Sequence, residues 1–351
     1  MSESDREVCP MESKNKTAYF QWLRLFAAFA VVLMHTAAYK WYDAPVDSAR
    51  WLALTGWDSV VRWPVPVFLM ITGALFLSRR ITVRQALCRY IPRMAVSYLI
   101  WAVVYGLYFA KPGDGSRELL TAVATGHYHL WYLPFLCGVY LMLPFLQKIA
   151  EDERLTNQLL WLSLTIALVI PWTLELAAAL FPEWNAAVRA LKNHLQFTFF
   201  FDHLSLLLLG HVLNRREFTP GQRHLLYGLG TLSLVVVFAG TVWLTHVTNS
   251  PSSLFFDHGA PTTLCAAAAL FVFARYRLTA LPKWASWLAD RSFGVYLIHA
   301  LVIEMLARQG LDALTLAPAW WPPVFAAAIF AIAATASALL GKLPLIGRYL
   351  A

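Results

Sequence analysis

The sequence is short of charged residues. Only 14% of its 351 residues are charged and 59% are hydrophobic, whereas an ordinary soluble domain carries about 25% charged residues. So little polar surface excludes a disordered chain, a coiled coil, a collagen-like protein and an independently soluble domain. The composition is instead typical of a polytopic membrane protein.

Cysteine is also scarce. Cys9 and Cys88 lie in charged segments, while Cys137 and Cys265 lie within apolar runs. No pair has the spacing of metal ligands, which argues against a structural zinc site and a disulfide framework. We therefore predict no metal site.

Long apolar runs are abundant after a short polar start. Residues 1–16 have no apolar core, so they are not a signal peptide and we interpret them as a disordered cytoplasmic tail. A transmembrane helix needs about 20 mostly apolar residues. Residues 17–345 are therefore predicted to form one all-α membrane domain of ten helices. Its predicted spans are 18–38, 55–77, 90–110, 130–147, 157–178, 195–213, 222–246, 260–276, 292–307 and 320–341.

The basic residues orient this arrangement. Most of the 28 lysines and arginines fall in the loops on the side of the N-terminus. This bias follows the positive-inside rule and predicts that both termini are cytoplasmic. The basic residues behind the formal charge of +8 stand in short clusters between apolar runs. They are therefore explained by membrane orientation, and we predict no nucleic-acid partner.

Two titratable residues share the first predicted span. Arg24 and His35 are eleven positions apart, which is about 16 Å along a helix and close to three complete turns. They therefore lie on one face, with the cation near the inner end and the imidazole near the outer end. Either they extend to the two membrane interfaces, or they mark a functional site, as polar groups within spans usually do.

The second predicted span and the loop after it carry further arginines. Asp58 and Arg62 are helical neighbours and predict a structural ion pair. The small pair Thr72–Gly73 favours close helix packing. The loop then holds Arg79 and the four candidate anion-binding residues Arg80, Arg84, Arg89 and Arg93. They either anchor the chain to anionic lipid or bind the phosphates of a cytoplasmic cofactor.

Histidines concentrate towards the predicted outer face. Several stand in or beside different spans, together with tyrosine, tryptophan and two carboxylates. The residues concerned are His127, His129, Trp131, Asp202, His203, Tyr296, His299 and Glu304. Such a set predicts a polar cavity that opens outwards and contains groups able to move protons near neutral pH.

Five motifs, in order along the chain, together resemble one family. The first is Arg24-x10-His35, and the others are the blocks 65–73 (VPVFLMITG), 89–92 (RYIP), 128–131 (YHLW) and 292–300 (SFGVYLIHA). This series resembles the membrane-bound acyltransferase family 3 over nearly the whole chain.

The resemblance implies a ten-helix enzyme of the bacterial inner membrane. Such an enzyme moves an acyl group, usually acetyl, from cytoplasmic acetyl-CoA to a sugar hydroxyl of a surface glycan or its lipid-linked precursor. Acetyl-CoA would be a substrate, with no permanently bound cofactor, and the partners would be the acceptor glycan and membrane lipid. The sequence does not indicate an oligomeric state.

The resemblance also implies roles for the candidate residues. His35 would be the general base or a transient acyl carrier, and Arg24 would hold the donor or orient the site. Arg80, Arg84, Arg89 and Arg93 would contact the CoA phosphates, although their spacing departs from the Arg-x-x-Arg that is common in the family. The acceptor would be bound, directly or through neighbouring side chains, by His129, Trp131, Asp202, His203, Tyr296 and His299.

The main alternative is a transporter or flippase for a glycan precursor or small molecule. Transporters also carry polar residues within their spans. The chain shows no internal repeat, a feature that many transporters have, and this counts against the alternative.

Overall fold

The computed structural model describes residues 17–113, 115–194, 203–344 and 346–351. The predicted tail, residues 1–16, lies outside them. Within the described ranges the chain forms helices and no strand, which confirms the all-α prediction.

Sixteen α-helices organise the described ranges. The first eight are α1 Ala18–Ala38, α2 Ala49–Val60, α3 Pro64–Phe76, α4 Ile91–Phe109, α5 Ser116–Thr125, α6 Tyr132–Ala150, α7 Glu153–Ser163 and α8 Ile170–Leu180. The others are α9 Asn185–His194, α10 Leu204–Arg215, α11 Pro220–Thr248, α12 Pro261–Arg277, α13 Lys283–Ala289, α14 Ser292–Ala307, α15 Trp321–Leu340 and the single turn α16 Gly347–Leu350. A further short turn, Val83–Gln85, and a π-helix, Ala86–Tyr90, lead into α4.

Eight helical segments are long and apolar enough to cross a membrane. They correspond to the predicted spans except the sixth and the ninth, where α10 has 12 residues and α14 has 16. A helix of 16 residues is about 24 Å long, which is shorter than the hydrocarbon thickness of about 30 Å. By length alone the described residues thus provide eight spans, with α10 and α14 as shorter apolar helices.

Prolines interrupt two of the predicted spans, the second and the fifth. The second span starts at Ala49 and breaks over 61–63, immediately before Pro64. The fifth passes through a π-helix at Leu164–Val169, immediately before Pro171. Proline has no amide hydrogen and clashes with the carbonyl one turn earlier, so it interrupts the regular hydrogen-bond ladder.

Helix α1 lies at the centre of the bundle. It packs against α2, α3, α12, α13, α14 and α15, and side chains such as Leu23, Ala27 and Val32 are fully buried. Because Arg24 and His35 both belong to α1, the fold places them in the interior of the bundle and near its opposite ends.

Two glycines let α3 and α10 cross with their backbones in contact. A Cβ atom on Gly73 would collide with the backbone of Leu207, and a Cβ atom on Gly210 would collide with the backbone of Met70. The contact predicted from Thr72–Gly73 is thus confirmed for Gly73. Close approach through small residues is a common way for membrane helices to pack.

We expect Gly73→Ala to destabilise the protein by at least about 1–3 kcal/mol, the usual cost of overpacking, because backbone atoms cannot rotate away from the added methyl group. The measurement is the melting temperature and monodispersity of the detergent-purified variant. Gly138→Ala is the matched control, since nothing lies within 4 Å of a Cβ atom there. Equal melting temperatures for the two variants would contradict the close crossing.

Candidate active site

A pair of histidines joins α1 to α14. The His35 Nδ1 atom lies 2.7 Å from the His299 Nε2 atom, and the two rings are nearly parallel with centroids 5.0 Å apart. His299 is fully buried, whereas His35 is partly exposed. Of the two imidazoles, His35 is therefore the one that a substrate can reach.

The hydrogen bonds determine which nitrogen of each neutral ring carries the proton. The His299 Nδ1 atom lies 2.7 Å from the Tyr296 carbonyl and 3.1 Å from the Val295 carbonyl. A carbonyl only accepts, so His299 Nδ1 carries the hydrogen and its Nε2 keeps a lone pair. His35 then donates from Nδ1 to His299, and the Nε2 atom of His35 is left unprotonated and basic.

Two further histidines from the segment before α6 complete this cluster. The rings of His129 and His299 have centroids 5.2 Å apart, and His127 Nδ1 lies 2.9 Å from His129 Nδ1. Burial lowers the pKa of His127 to about 4, and burial together with the neighbouring His299 and His35 lowers the pKa of His129 well below its usual range. Both are consequently neutral near pH 7, which leaves the cluster without added positive charge.

Two tyrosines hold the cluster together. The Tyr296 hydroxyl donates to the His129 carbonyl. The Tyr105 hydroxyl on α4 donates to the Leu297 carbonyl at 3.0 Å and accepts from the Leu301 amide at 2.9 Å. These bonds tie α14 to α4 and to the segment before α6, and they thereby fix the position of His299.

Arg24 lies near the other end of α1, in a different environment. Its guanidinium is 3.4 Å from the Gln21 amide oxygen and interacts electrostatically with Tyr140, Asp290 and Arg79. The Tyr140 ring stacks on Tyr90 at 5.2 Å. We call the end of the bundle that holds Arg24, Arg79 and Tyr140 the arginine-rich end, and the end that holds His35, His129 and His299 the histidine-rich end.

Two of the four predicted phosphate-binding arginines lie near the stacked rings of Tyr90 and Tyr140. Arg93 interacts electrostatically with Tyr140, as Arg24 does, and its guanidinium lies 4.9 Å from the Phe293 ring centre. Arg89 lies in the π-helix with its guanidinium 5.7 Å from the Tyr90 ring centre. Arg80 and Arg84 are exposed, and their side chains form no ion pair or hydrogen bond with any described residue. The structure therefore brings Arg93 near Tyr140, as it does Arg24, places Arg89 beside the Tyr90 ring, and leaves Arg80 and Arg84 on the loop.

A comparison with protein families assigns the chain to one of them. The family described as an acyltransferase domain, Acyl_transf_3, matches residues 17–341, which include both ends of α1 and the whole of α14. The chain belongs to acyltransferase family 3. Comparisons with curated proteins and with solved structures gave no significant match.

The family and the helices together make this protein a multi-pass membrane acyltransferase. The resemblance seen in the sequence motifs is thus confirmed at the level of the family. His35 from the first motif and His299 from the last are hydrogen bonded in the fold.

A second pair of histidines lies beside the predicted acceptor residues. The His203 Nε2 atom is 3.1 Å from the His258 Nε2 atom, Trp131 stacks on His258 at 5.7 Å, and Phe135 packs against His203 at 4.7 Å. Sequence analysis missed His258, because it is a single histidine in the loop before α12 with no neighbouring motif. Asp202, predicted beside His203, lies outside the described residues.

Arg62 also lies close enough to the histidine cluster to affect His35. It forms the predicted ion pair with Asp58, which is fully buried, and its guanidinium lies 4.2 Å from the Phe256 ring centre. Arg62 interacts electrostatically with His35 as well. Sequence reasoning assigned this pair to structure alone, because the helical spacing shows the partner on the same helix and not the neighbour across the bundle.

Proposed function

We propose that this protein is an O-acetyltransferase that moves an acetyl group from acetyl-CoA to a sugar hydroxyl of a cell-envelope polysaccharide or its lipid-linked precursor. The observation that carries the proposal is the His35–His299 pair, in which one partly exposed imidazole is held with a basic nitrogen free. The motifs also resemble those of WecH-type O-acetyltransferases, which favours acetyl as the acyl group.

His35 is proposed to act as the general base. Its Nε2 atom takes the proton from the acceptor hydroxyl while the hydroxyl oxygen attacks the thioester carbonyl. The C–O bond forms, the C–S bond breaks, and the CoA sulfur leaves with the proton that His35 held. Positioned base catalysis is typically worth about 10²–10⁴ in rate.

His299 is proposed as a positioning residue. When His35 is protonated at Nε2, its Nδ1–H still donates to His299, and His299 donates in turn to the Tyr296 carbonyl. This chain orients the ring and stabilises the imidazolium, in the same way that a hydrogen-bonded acceptor supports a catalytic histidine in other acyl-transfer enzymes.

The donor is proposed to enter from the arginine-rich end. Arg24, Arg89 and Arg93 would bind the CoA phosphates, because the guanidinium fork suits phosphate oxygens. The pantetheine arm would then extend along α1 over the roughly 16 Å that separate Arg24 from His35. The site would therefore need no bound cofactor other than the donor itself.

The acceptor is proposed to bind at the histidine-rich end. Tyr128 and Trp131 are 52% and 41% exposed, and Tyr128 packs against the His35 ring at 5.2 Å. Exposed aromatic rings with an apolar face and a polar edge suit the faces and hydroxyls of a sugar. His129, His203 and Tyr296 would support this surface, as would Asp202, which is outside the described residues.

The membrane arrangement that fits this chemistry has ten spans and both termini in the cytoplasm. Helices α10 and α14 then count as short spans, and the arginine-rich end faces the cytoplasmic pool of acetyl-CoA. The proposed location is the bacterial inner membrane, where lipid-linked glycan precursors are present at the face opposite the acetyl-CoA pool.

The test is an assay of the purified protein in vesicles with [¹⁴C]acetyl-CoA and glycan acceptor. Release of CoA thiol matched by alkali-labile label on the glycan supports the proposal. Movement of unmodified glycan across the vesicle without thiol release would instead identify a transporter. Thiol release with no glycan ester would remove the glycan as acceptor while leaving the acyltransferase reaction.

A pair of variants of similar volume tests the role of His299. We expect His299→Leu to lower kcat by about 10²-fold, within the range for base catalysis, because leucine cannot accept the proton of His35 Nδ1. The KM for acetyl-CoA should stay unchanged. His299→Gln should retain more activity, since its amide oxygen can accept that hydrogen bond. Equal losses in both variants would show that His299 only fills space.

A further inference from the structure

A polar cavity lies at the arginine-rich end, between the α6–α7 connection and the end of α10. Its volume is about 400 Å³, which falls within the range of small-molecule sites, about 300–1,000 Å³. The cavity uses none of the residues placed above in donor or acceptor binding. Its lining includes Glu151, Glu153, Asn157, His211, Arg215 and Arg216.

The charges of this cavity are separated between its walls. The end of α10 contributes Arg215 and Arg216, and the α6–α7 connection and the first residue of α7 contribute Glu151 and Glu153. Glu151 is paired with Lys148 at 3.1 Å. Arg215 and Glu153 are exposed, and neither side chain has a hydrogen bond or ion pair within the described ranges. The cavity therefore presents a cationic wall and an anionic wall that do not neutralise each other.

A buried imidazole on the cationic wall lacks a partner. His211 is only 3% exposed and lines the cavity, and its Nδ1 atom is buried without a hydrogen-bond partner among the described residues. Leaving such a polar group unsatisfied is energetically unfavourable.

We propose that this cavity binds a phosphoethanolamine group, in which a phosphate and a primary ammonium are neighbours, and that a membrane phospholipid supplies it. Arg215, Arg216 and His211 would hold the phosphate, and Glu153 would accept hydrogen bonds from the ammonium. The cavity lies where α7 begins and α10 ends, which is the level of the lipid headgroups for helices that span the membrane. This inference is independent of the acetyltransferase proposal.

The test is native mass spectrometry of delipidated full-length protein titrated with phospholipids that have identical acyl chains. Phosphatidylethanolamine should bind about tenfold more tightly than phosphatidylcholine, which has no N–H donor, and than phosphatidylglycerol, which has no cation. A loss of one charged hydrogen bond corresponds to roughly a tenfold change in affinity. Equal binding of the three lipids would overturn the proposal.

Variants on each wall make the test specific. Arg215→Gln with Arg216→Gln should weaken phosphatidylethanolamine binding by at least about tenfold. Glu153→Gln should remove the preference over phosphatidylglycerol. The matched control is Arg277→Gln with Lys283→Gln, which removes the same charge from exposed residues at the end of α12 and the start of α13. An unchanged affinity in the first variant, or an equal loss in the control, would overturn the assignment.

Soluble O-phosphoethanolamine distinguishes the source of the group. If it displaces the lipid at a comparable concentration, the headgroup chemistry holds but the lipid is not required as its source, which overturns that part of the proposal. If only the lipid binds, the membrane is the source. All three variants lie outside the proposed active site, so acyl transfer serves as the check that they are folded.

Discussion

Cells that express His35→Ala are expected to show at least about 10²–10⁴-fold less ester-linked acetate on their envelope glycans than cells that express the wild type. The reason is that His35 is the partly exposed member of the histidine pair, and its Nε2 atom is the basic nitrogen that the hydrogen bonds leave free. The measurement is alkali-released acetate at matched levels of the protein in the membrane.

His246→Ala is the matched control for this result. His246 lies in the last turn of α11 and pairs with Asp47 at 3.0 Å, and its side chain is 52% exposed. Its loss should leave acetate unchanged. If His35→Ala and wild type give equal acetate, His35 has only a structural role and the proposed base is wrong.

Replacing Arg24 with alanine is expected to lower kcat/KM for acetyl-CoA by roughly 10- to 100-fold. That range corresponds to the loss of a hydrogen bond to a charged group, about 1.5–3 kcal/mol, at 1.4 kcal/mol per factor of ten. Arg24 lies with Arg79 and Tyr140 at the arginine-rich end, where the CoA phosphates are proposed to bind. The loss should appear mainly in KM.

A truncated donor separates phosphate binding from thioester orientation. Acetyl-N-acetylcysteamine carries the thioester but no phosphate, so its turnover should be nearly the same for wild type and Arg24→Ala. Arg24→Lys should restore part of the acetyl-CoA activity, because it keeps the charge and loses the fork. An equal loss with both donors would place Arg24 at the thioester instead of the phosphates.

Local sequence patterns predicted much of the fold. Apolar runs of about 20 residues must become helices in a membrane, because only internal hydrogen bonds can satisfy the backbone there. The same patterns predicted the ion pair of Asp58 and Arg62, because helical spacing makes them neighbours. They also predicted the close contact at Gly73, because glycine has no side chain. They did not predict the π-helix Leu164–Val169, which lies beside Pro171, or the early start of the second span at Ala49, which the Ser48 side chain caps.

The sequence by itself determined the class of protein, the helical content and the placing of Arg24 and His35 on one face of α1. Helical spacing is a short-range property, so eleven residues suffice to define it. Only the tertiary structure decided that His35 and His299, 264 positions apart, are hydrogen bonded and that His258 pairs with His203. Those contacts depend on how separate helices pack, and the composition of no single helix contains that information.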